Sequence, residues 1–256
     1  MPRFIEHPSA EAADTQLSPG AAVAFVRVEK YFLPLIFAFL AGLRFLYLQD
    51  QYMAWRSIQS FHGMLPFSPG PFFADITRNV LIFCLLTFTA VTLLLNRPPA
   101  VLPDKLKHVL VPLAGSYYVA LYALIHYFPV WMRQSLLPDT WRLPAAMIGL
   151  GCSIVGYSIA IWAMVYLRRS FALFVSVRDV VTNGPYRLVR HPIYCGYLLD
   201  AAGLMLAGAS VGMLILGAGH IFLLVYRARM EEQMLAGTDP AYRLYLARTG
   251  FLLPRL

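Results

Sequence analysis

Two short clusters in this 256-residue chain combine side chains able to hold and orient a charged small molecule. The first reads Gly184-Pro185-Tyr186-Arg187-Leu188-Val189-Arg190-His191-Pro192-Ile193-Tyr194-Cys195-Gly196-Tyr197, and the second reads Arg227-Ala228-Arg229-Met230-Glu231-Glu232. Arginine forks onto carboxylates bidentately. Glutamate accepts hydrogen bonds from diols or ammonium groups, and tyrosine rings offer a face to cations. The Asn183-Gly184-Pro185 run marks a turn, and Pro192 suits the first turn of a helix, where its missing donor costs nothing. Arg190 and His191 then stand at a helix N-terminus, whose amides favour anions. Tyr194 and Tyr197 share one face of that helix, and Gly196 permits close approach. Charged residues at helix ends also make plain interfacial ion pairs. It is the convergence of Arg, His, two Tyr, Gly and two Glu that points to a binding site.

The elements that must position these clusters are set by composition. The chain is 59% apolar and 13% charged with a net charge of +8, against about 45–50% and 25% in ordinary soluble domains. Its apolar residues gather in long runs at 31–48, 80–95, 109–130, 145–166 and 193–226. A bilayer core asks for about 20 mostly apolar residues per helix. The last run is too long for one span and suits two short helices, with a reversal within 203–212, where Gly203, Gly208, Ala209, Ser210 and Gly212 fall. The expectation is an all-α, polytopic transmembrane bundle of about six spans whose last two form a tight hairpin. Because the hairpin arms are antiparallel, Glu231 and Glu232 return to the membrane face that carries Arg190 and His191. With the N-terminus inside, sixteen Lys and Arg fall on inner segments and four on outer ones, Arg44 lying within the first span. That asymmetry predicts both termini in the cytoplasm. It also makes the net charge a matter of topology, so no nucleic-acid partner is called for.

The organisation expected is a polar cytoplasmic tail over 1–30, a variable three-span region over 31–144 and a catalytic core over 145–256. Residues 50–78 contain Trp55, Phe61, Pro66, Phe67 and Phe72, a composition that suits an interfacial loop. His62 and His108 sit in loops and are assigned no role, and His126 falls near an interface. Three scattered cysteines make neither a disulfide framework nor a metal-binding pattern, so no metal is expected. Gly149-Leu150-Gly151 lies within an apolar run, where helix packing is the reading rather than a phosphate loop. Asp200 and His220 lie about 10–12 Å below the hairpin rim at 1.5 Å per residue. They are read either as a structural hydrogen bond across the hairpin or as lining of an acceptor pocket. Tyr157, Trp162 and Tyr166 recur at spacings of five and four, partly one face, which fits packing or the lining of a substrate channel.

Gly-Pro-Tyr, then Arg-His-Pro-x-Tyr-x-Gly, then Glu-Glu with Leu235 three residues on, and Tyr242 and Tyr245 ahead of Pro254, resemble the isoprenylcysteine carboxyl methyltransferase family and its phospholipid methyltransferase relatives. The resemblance covers about the last 90 to 110 residues. It implies an integral-membrane methyltransferase using S-adenosyl-L-methionine at the cytoplasmic rim. Its implied cofactor-binding residues are Tyr186, Arg190, His191, Tyr194, Gly196, Glu231, Glu232 and Tyr242, with Arg190, His191 and Glu232 catalytic; Asp200, His220 and Tyr166 are expected at the substrate pocket from their places within the apolar runs. The stretch Gly237-Thr238-Asp239-Pro240-Ala241-Tyr242 departs from the Gly-Glu-Glu-Tyr-like turn common in that family. The acceptor expected is amphipathic: an isoprenylcysteine-like or other lipid-like acid, or a phospholipid amine. A sterol-type reductase using NADPH and a non-enzymatic transporter or scaffold are the readings from other classes.

Overall fold

A chain surrounded by hydrocarbon must satisfy its own backbone donors and acceptors, which favours helices. The computed structural model describes residues 16–60, 69–238 and 240–255. Among these residues no β-strand forms, and pairing is limited to isolated bridges. The helices are α1 (Pro19–Arg27), continued through a π-turn at Val28–Phe32 into α2 (Leu33–Ser60), then α3 (Pro69–Leu95), α4 (Lys107–Tyr117) and the short α5 (Val130–Arg133). They are followed by α6 (Asp139–Leu167), α7 (Pro192–Gly208), α8 (Val211–Thr238) and α9 (Pro240–Arg248).

Four stretches are long and apolar enough to cross a membrane: Pro19–Ser57, Asp75–Leu95, Asp139–Ser170 and Val211–Thr238, with Pro192–Gly208 a shorter apolar helix. The run expected as a third span, 109–130, is built differently. It winds as α-helix to Tyr117 and as 3₁₀-helix over Tyr118–Tyr127, with Pro112 removing one backbone donor from its first half. The stretch read as a polar tail to residue 30 is helical from Pro19 onward, and Glu29 is fully buried. Arg44, inside the first apolar run, donates to Asn79 Oδ1 at 2.6 Å. Residues 1–15 and 61–68, and with them His62, Phe61, Pro66 and Phe67, lie outside the described residues, as does the side chain of His126.

Two glycine pairs bring α6 and α7 into backbone contact. A Cβ on Gly149 would meet the carbonyl of Gly203, and one on Gly156 the carbonyl of Gly196; the reverse substitutions meet the same obstacle. Both helices space these glycines seven residues apart, two turns, so the contact recurs on one face. Small residues allow helices in lipid to approach this closely. The packing role read for Gly149 is the one it plays. Gly196, expected at the cofactor, instead meets Gly156 and Ala160. The turn between α7 and α8 falls at Ala209, in the left-handed region at φ 37°, where its carbonyl accepts from Leu136 N at 2.7 Å. Ser210 Oγ then caps α8 by accepting from Met213 N at 3.3 Å.

Replacing Gly156 by Leu should therefore separate α6 from α7 and destabilise the detergent-purified protein by about 1–3 kcal/mol or more, the usual cost of overpacking. Gly151, which has open space around its Cα, should accept Ala with no loss. Thermal melting followed by size-exclusion fluorescence reads both.

Candidate functional site

Pro192 opens α7 at its N1 position and His191 caps it, so the Arg190-His191 pair sits where the chain turns into the helix. The turn is held by the C-terminal segment. Arg190 N donates to Gly250 O at 2.9 Å, His191 N to Phe251 O at 3.3 Å, and Cys195 Sγ to Leu252 O at 3.1 Å. Arg190 Nη1 donates to Leu246 O at 3.1 Å and also to Thr249 O, while Nε pairs with Glu232. His191 Nε2 lies 3.3 Å from the same Glu232 oxygen. Arg190 thus ties α8 and the segment after α9 to the start of α7, a heavier structural role than a free carboxylate fork.

One residue earlier on α8, Glu231 faces a cavity of about 260 Å³. Its Oε1 accepts from Tyr194 OH at 2.5 Å and from Arg227 Nε at 3.2 Å. Arg227 is buried, lies over the Tyr194 ring at 5.3 Å, and donates to Ser116 Oγ at 3.1 Å and Leu173 O at 2.7 Å. Tyr186, Tyr242 and Tyr245 complete this polar wall. Burial pushes the Tyr186 and Tyr242 phenols well up and that of Tyr245 up to about 12, so all three are neutral hydroxyls at physiological pH. Tyr245 OH donates to Tyr186 O at 2.5 Å. The opposite flank is apolar, formed by Phe37, Ile82, Leu85 and Leu86 from α2 and α3.

The floor of the cavity carries Asp200 and His220. These do not pair with each other across the hairpin. Asp200 Oδ2 accepts from Tyr157 OH of α6 at 2.8 Å, and His220 stacks on Tyr118 at 5.1 Å.

The cavity wall therefore brings together Tyr186, Arg190, His191 and Tyr194 with Glu231 and Tyr242, and sets Asp200 and His220 below them. Three residues expected at the site stand elsewhere. Gly196 packs on α6. Glu232 lies behind Arg190 and His191, off the wall. Tyr166 is 41% exposed, and its ring covers Gly184, which at φ +60° has neither room nor backbone freedom for a side chain.

Sequence reasoning missed the loop over residues 171–178 and what holds it. Glu29, with no exposed surface, accepts from Leu173 N at 2.5 Å and Phe174 N at 3.2 Å through Oε1, and pairs with Arg178 Nη2 at 3.1 Å through Oε2. Arg178 further donates to Phe171 O at 2.9 Å and Arg97 O at 3.0 Å. Leu173 in turn accepts from Arg227, so a chain of bonds runs from Glu29 through the loop to the wall. The signal available was a single Glu-Lys step, Glu29-Lys30, at the edge of an apolar run.

Residues 144–238 match the family model described as phospholipid methyltransferase. The chain is 35% identical over 128 residues to the cobalt-zinc-cadmium resistance protein CzcN of Cupriavidus metallidurans, covering 46% of this chain and 53% of that protein. It is 29% identical over 157 residues to methanethiol S-methyltransferase 2 of Bradyrhizobium diazoefficiens, covering 55% and 60%. Over 60 residues it is 40% identical to protein-S-isoprenylcysteine O-methyltransferase A of Arabidopsis thaliana, covering 22% and 30%. The chain thus spans about half the length of the first of these relatives. Within 144–238 the family resemblance read from the Arg-His-Pro and Glu-Glu clusters holds.

Glu29 lies outside that matched segment, yet it anchors a cavity loop. Breaking a buried ion pair leaves an uncompensated charge and costs about 3–5 kcal/mol. Glu29→Gln should accordingly lower the melting temperature sharply. The double variant Glu29→Gln with Arg178→Met should recover part of the loss, since neither charge is then left alone. A double-mutant cycle on thermal stability measures both.

Proposed function

We propose that the chain is an integral-membrane methyltransferase that takes its methyl group from S-adenosyl-L-methionine and passes it to an amphipathic acceptor whose tail remains in lipid. The observation that carries this reading is the single cavity joining the polar wall of the methyltransferase-family clusters to an apolar flank on α2 and α3. A donor at the polar wall and a tail against the flank would meet within it.

The side chains fit the donor's chemistry. Glu231 Oε2 suits a ribose diol or an ammonium, and Arg190 Nη2 suits the donor carboxylate. The neutral tyrosine rings offer faces to the adenine and to the sulfonium. When bound, the donor supplies an electrophilic methyl group ready for in-line displacement. The protein's part is alignment and exclusion of water, and good alignment is worth about 7–11 kcal/mol. Arg227 holds Glu231 and Tyr194 in place. Arg190, through Glu232 and the 249–251 backbone, keeps α9 and its tyrosines against the wall. The excess of basic residues on one set of loops supports a rim facing the cytoplasm.

Calorimetric titration of the purified protein with S-adenosylhomocysteine tests this reading, with NADPH run beside it. The product should bind, and Glu231→Gln should weaken it about 10–100-fold, the value of a hydrogen bond to a charged group. Glu232→Gln should weaken it less while lowering thermal stability, because Glu232 reaches the wall only through Arg190 and His191. Binding of NADPH in place of the homocysteine product would overturn the proposal in favour of a reductase.

A further inference from the structure

Three large leucines stand bare on the segments around the polar wall, outside the four stretches long and apolar enough to cross a membrane. Leu188 is 55% exposed, Leu244 65% and Leu253 80%. Arg187, Arg243, Arg248 and Arg255 lie on the same segments, also exposed, and none of them pairs with a carboxylate among the described residues. The arginines that do pair here, Arg190 with Glu232 and Arg227 with Glu231, line the cavity instead. This division splits α9 lengthwise. Tyr242, Tyr245 and Thr249, at i, i+3 and i+7, turn toward the wall and the Arg190 turn, and Arg243, Leu244, Ala247 and Arg248 form the opposite, exposed stripe. Arg190 and His191 hold Leu246, Thr249, Gly250 and Phe251 at the level where α7 begins, and Arg255 donates back to Ala247 O at 2.5 Å. Val189 pairs with Gly250, which brings Leu188 beside the same segment. Because α7 is an apolar helix, its first turn marks the rim of the bilayer. Bare leucines flanked by unpaired arginines at that level are the composition of a surface that lies on headgroups.

Resting on the methyltransferase reading, we propose that the outer face of α9 and the 249–255 segment dock onto anionic phospholipid headgroups of the leaflet at the cavity rim, and that this docking holds Tyr242 and Tyr245 against the donor site. Anionic lipid supplies both chemistries at the place where the bundle meets the bilayer: phosphate oxygens for the guanidiniums and acyl chains for the leucines. On its inner side α9 is held by the Arg190 bonds and by Tyr245 OH donating to Tyr186 O. A charged membrane surface on the outer side provides the complementary restraint. The wall is then complete only when α9 is clamped from both sides, and donor affinity depends on the lipid around the protein.

The test uses the full chain in nanodiscs of phosphatidylcholine, with or without an equal part of phosphatidylglycerol. Hydrogen–deuterium exchange over residues 240–255 and calorimetric titration with S-adenosylhomocysteine are read in each. Phosphatidylglycerol should slow exchange over 240–255 and tighten binding of the homocysteine product about fivefold or more, the low end of ordinary coupling between two sites. Salt should shrink both effects, since the screening length falls to about 3 Å at 1 M. Arg187 and Arg248 make no hydrogen bond or ion pair among the described residues. Replacing both by Gln should therefore cut the lipid dependence while leaving binding in pure phosphatidylcholine unchanged, which also reports a folded wall. Equal exchange over 240–255 in the two lipids overturns the proposal, as does a lipid dependence untouched by the double substitution. Slowed exchange with identical affinity for S-adenosylhomocysteine overturns the link to the donor site. Protection that follows protein concentration in place of lipid charge assigns this face to a second copy and overturns the docking. Protection in phosphatidylglycerol with no binding of S-adenosylhomocysteine in either lipid counts against the methyltransferase reading while the docking stands.

Discussion

Backbone touches backbone where α6 crosses α7, and that contact sets the position of α7, from whose N-terminal end the polar wall is built. Gly149 against Gly203 and Gly156 against Gly196 fix both the separation and the register of the two helices. In that register Tyr157, the residue after Gly156, reaches Asp200, four residues beyond Gly196. In lipid no hydrophobic force draws helices together, so van der Waals contact between small residues has to do so. The close approach is accordingly a primary source of cohesion here rather than a refinement of it.

On this frame the protein builds a wall of paired charges. Arg227 is buried among Glu231, Ser116, Leu173 and the Tyr194 ring, and Arg178 among Glu29 and two carbonyls. Buried ion pairs contribute little net stability, because desolvation offsets most of the attraction, but losing one partner is severe. Such pairs therefore specify an arrangement more than they strengthen it. Each arginine here also spends donors on main-chain carbonyls, which fixes loops that have no regular secondary structure to hold them.

Much of this was legible in sequence. The apolar runs, the reversal near Ala209 and the return of Glu231 to the level of Arg190 follow from length, small-residue placement and antiparallel geometry. What escaped has physical causes. Glu29 was read as part of a polar tail because its partners, Leu173 and Arg178, lie 144 and 149 residues away, and no local periodicity encodes so distant a contact. Glu231 and Glu232 differ by a helical rotation of about 100°, and composition alone gave no reason to favour the one that faces the cavity. Tyr166 fell at the right helical spacing, but the chain beyond it folds back so that its ring covers Gly184 instead. Gly196 was seen as a point of close approach, with α6 not foreseen as what approaches it.

The ties that hold the Arg190 turn have a bearing on biosynthesis. Glu29 emerges early and waits for a loop made some 145 residues later, while Arg190 finds its carbonyl partners only once Leu246, Thr249 and Gly250 have been translated. Membrane insertion of α2, α3, α6 and the α7–α8 hairpin can run ahead of this, since each helix satisfies its own backbone. A nascent chain can thus have these helices formed while the Arg190 turn still lacks the carbonyls that hold it.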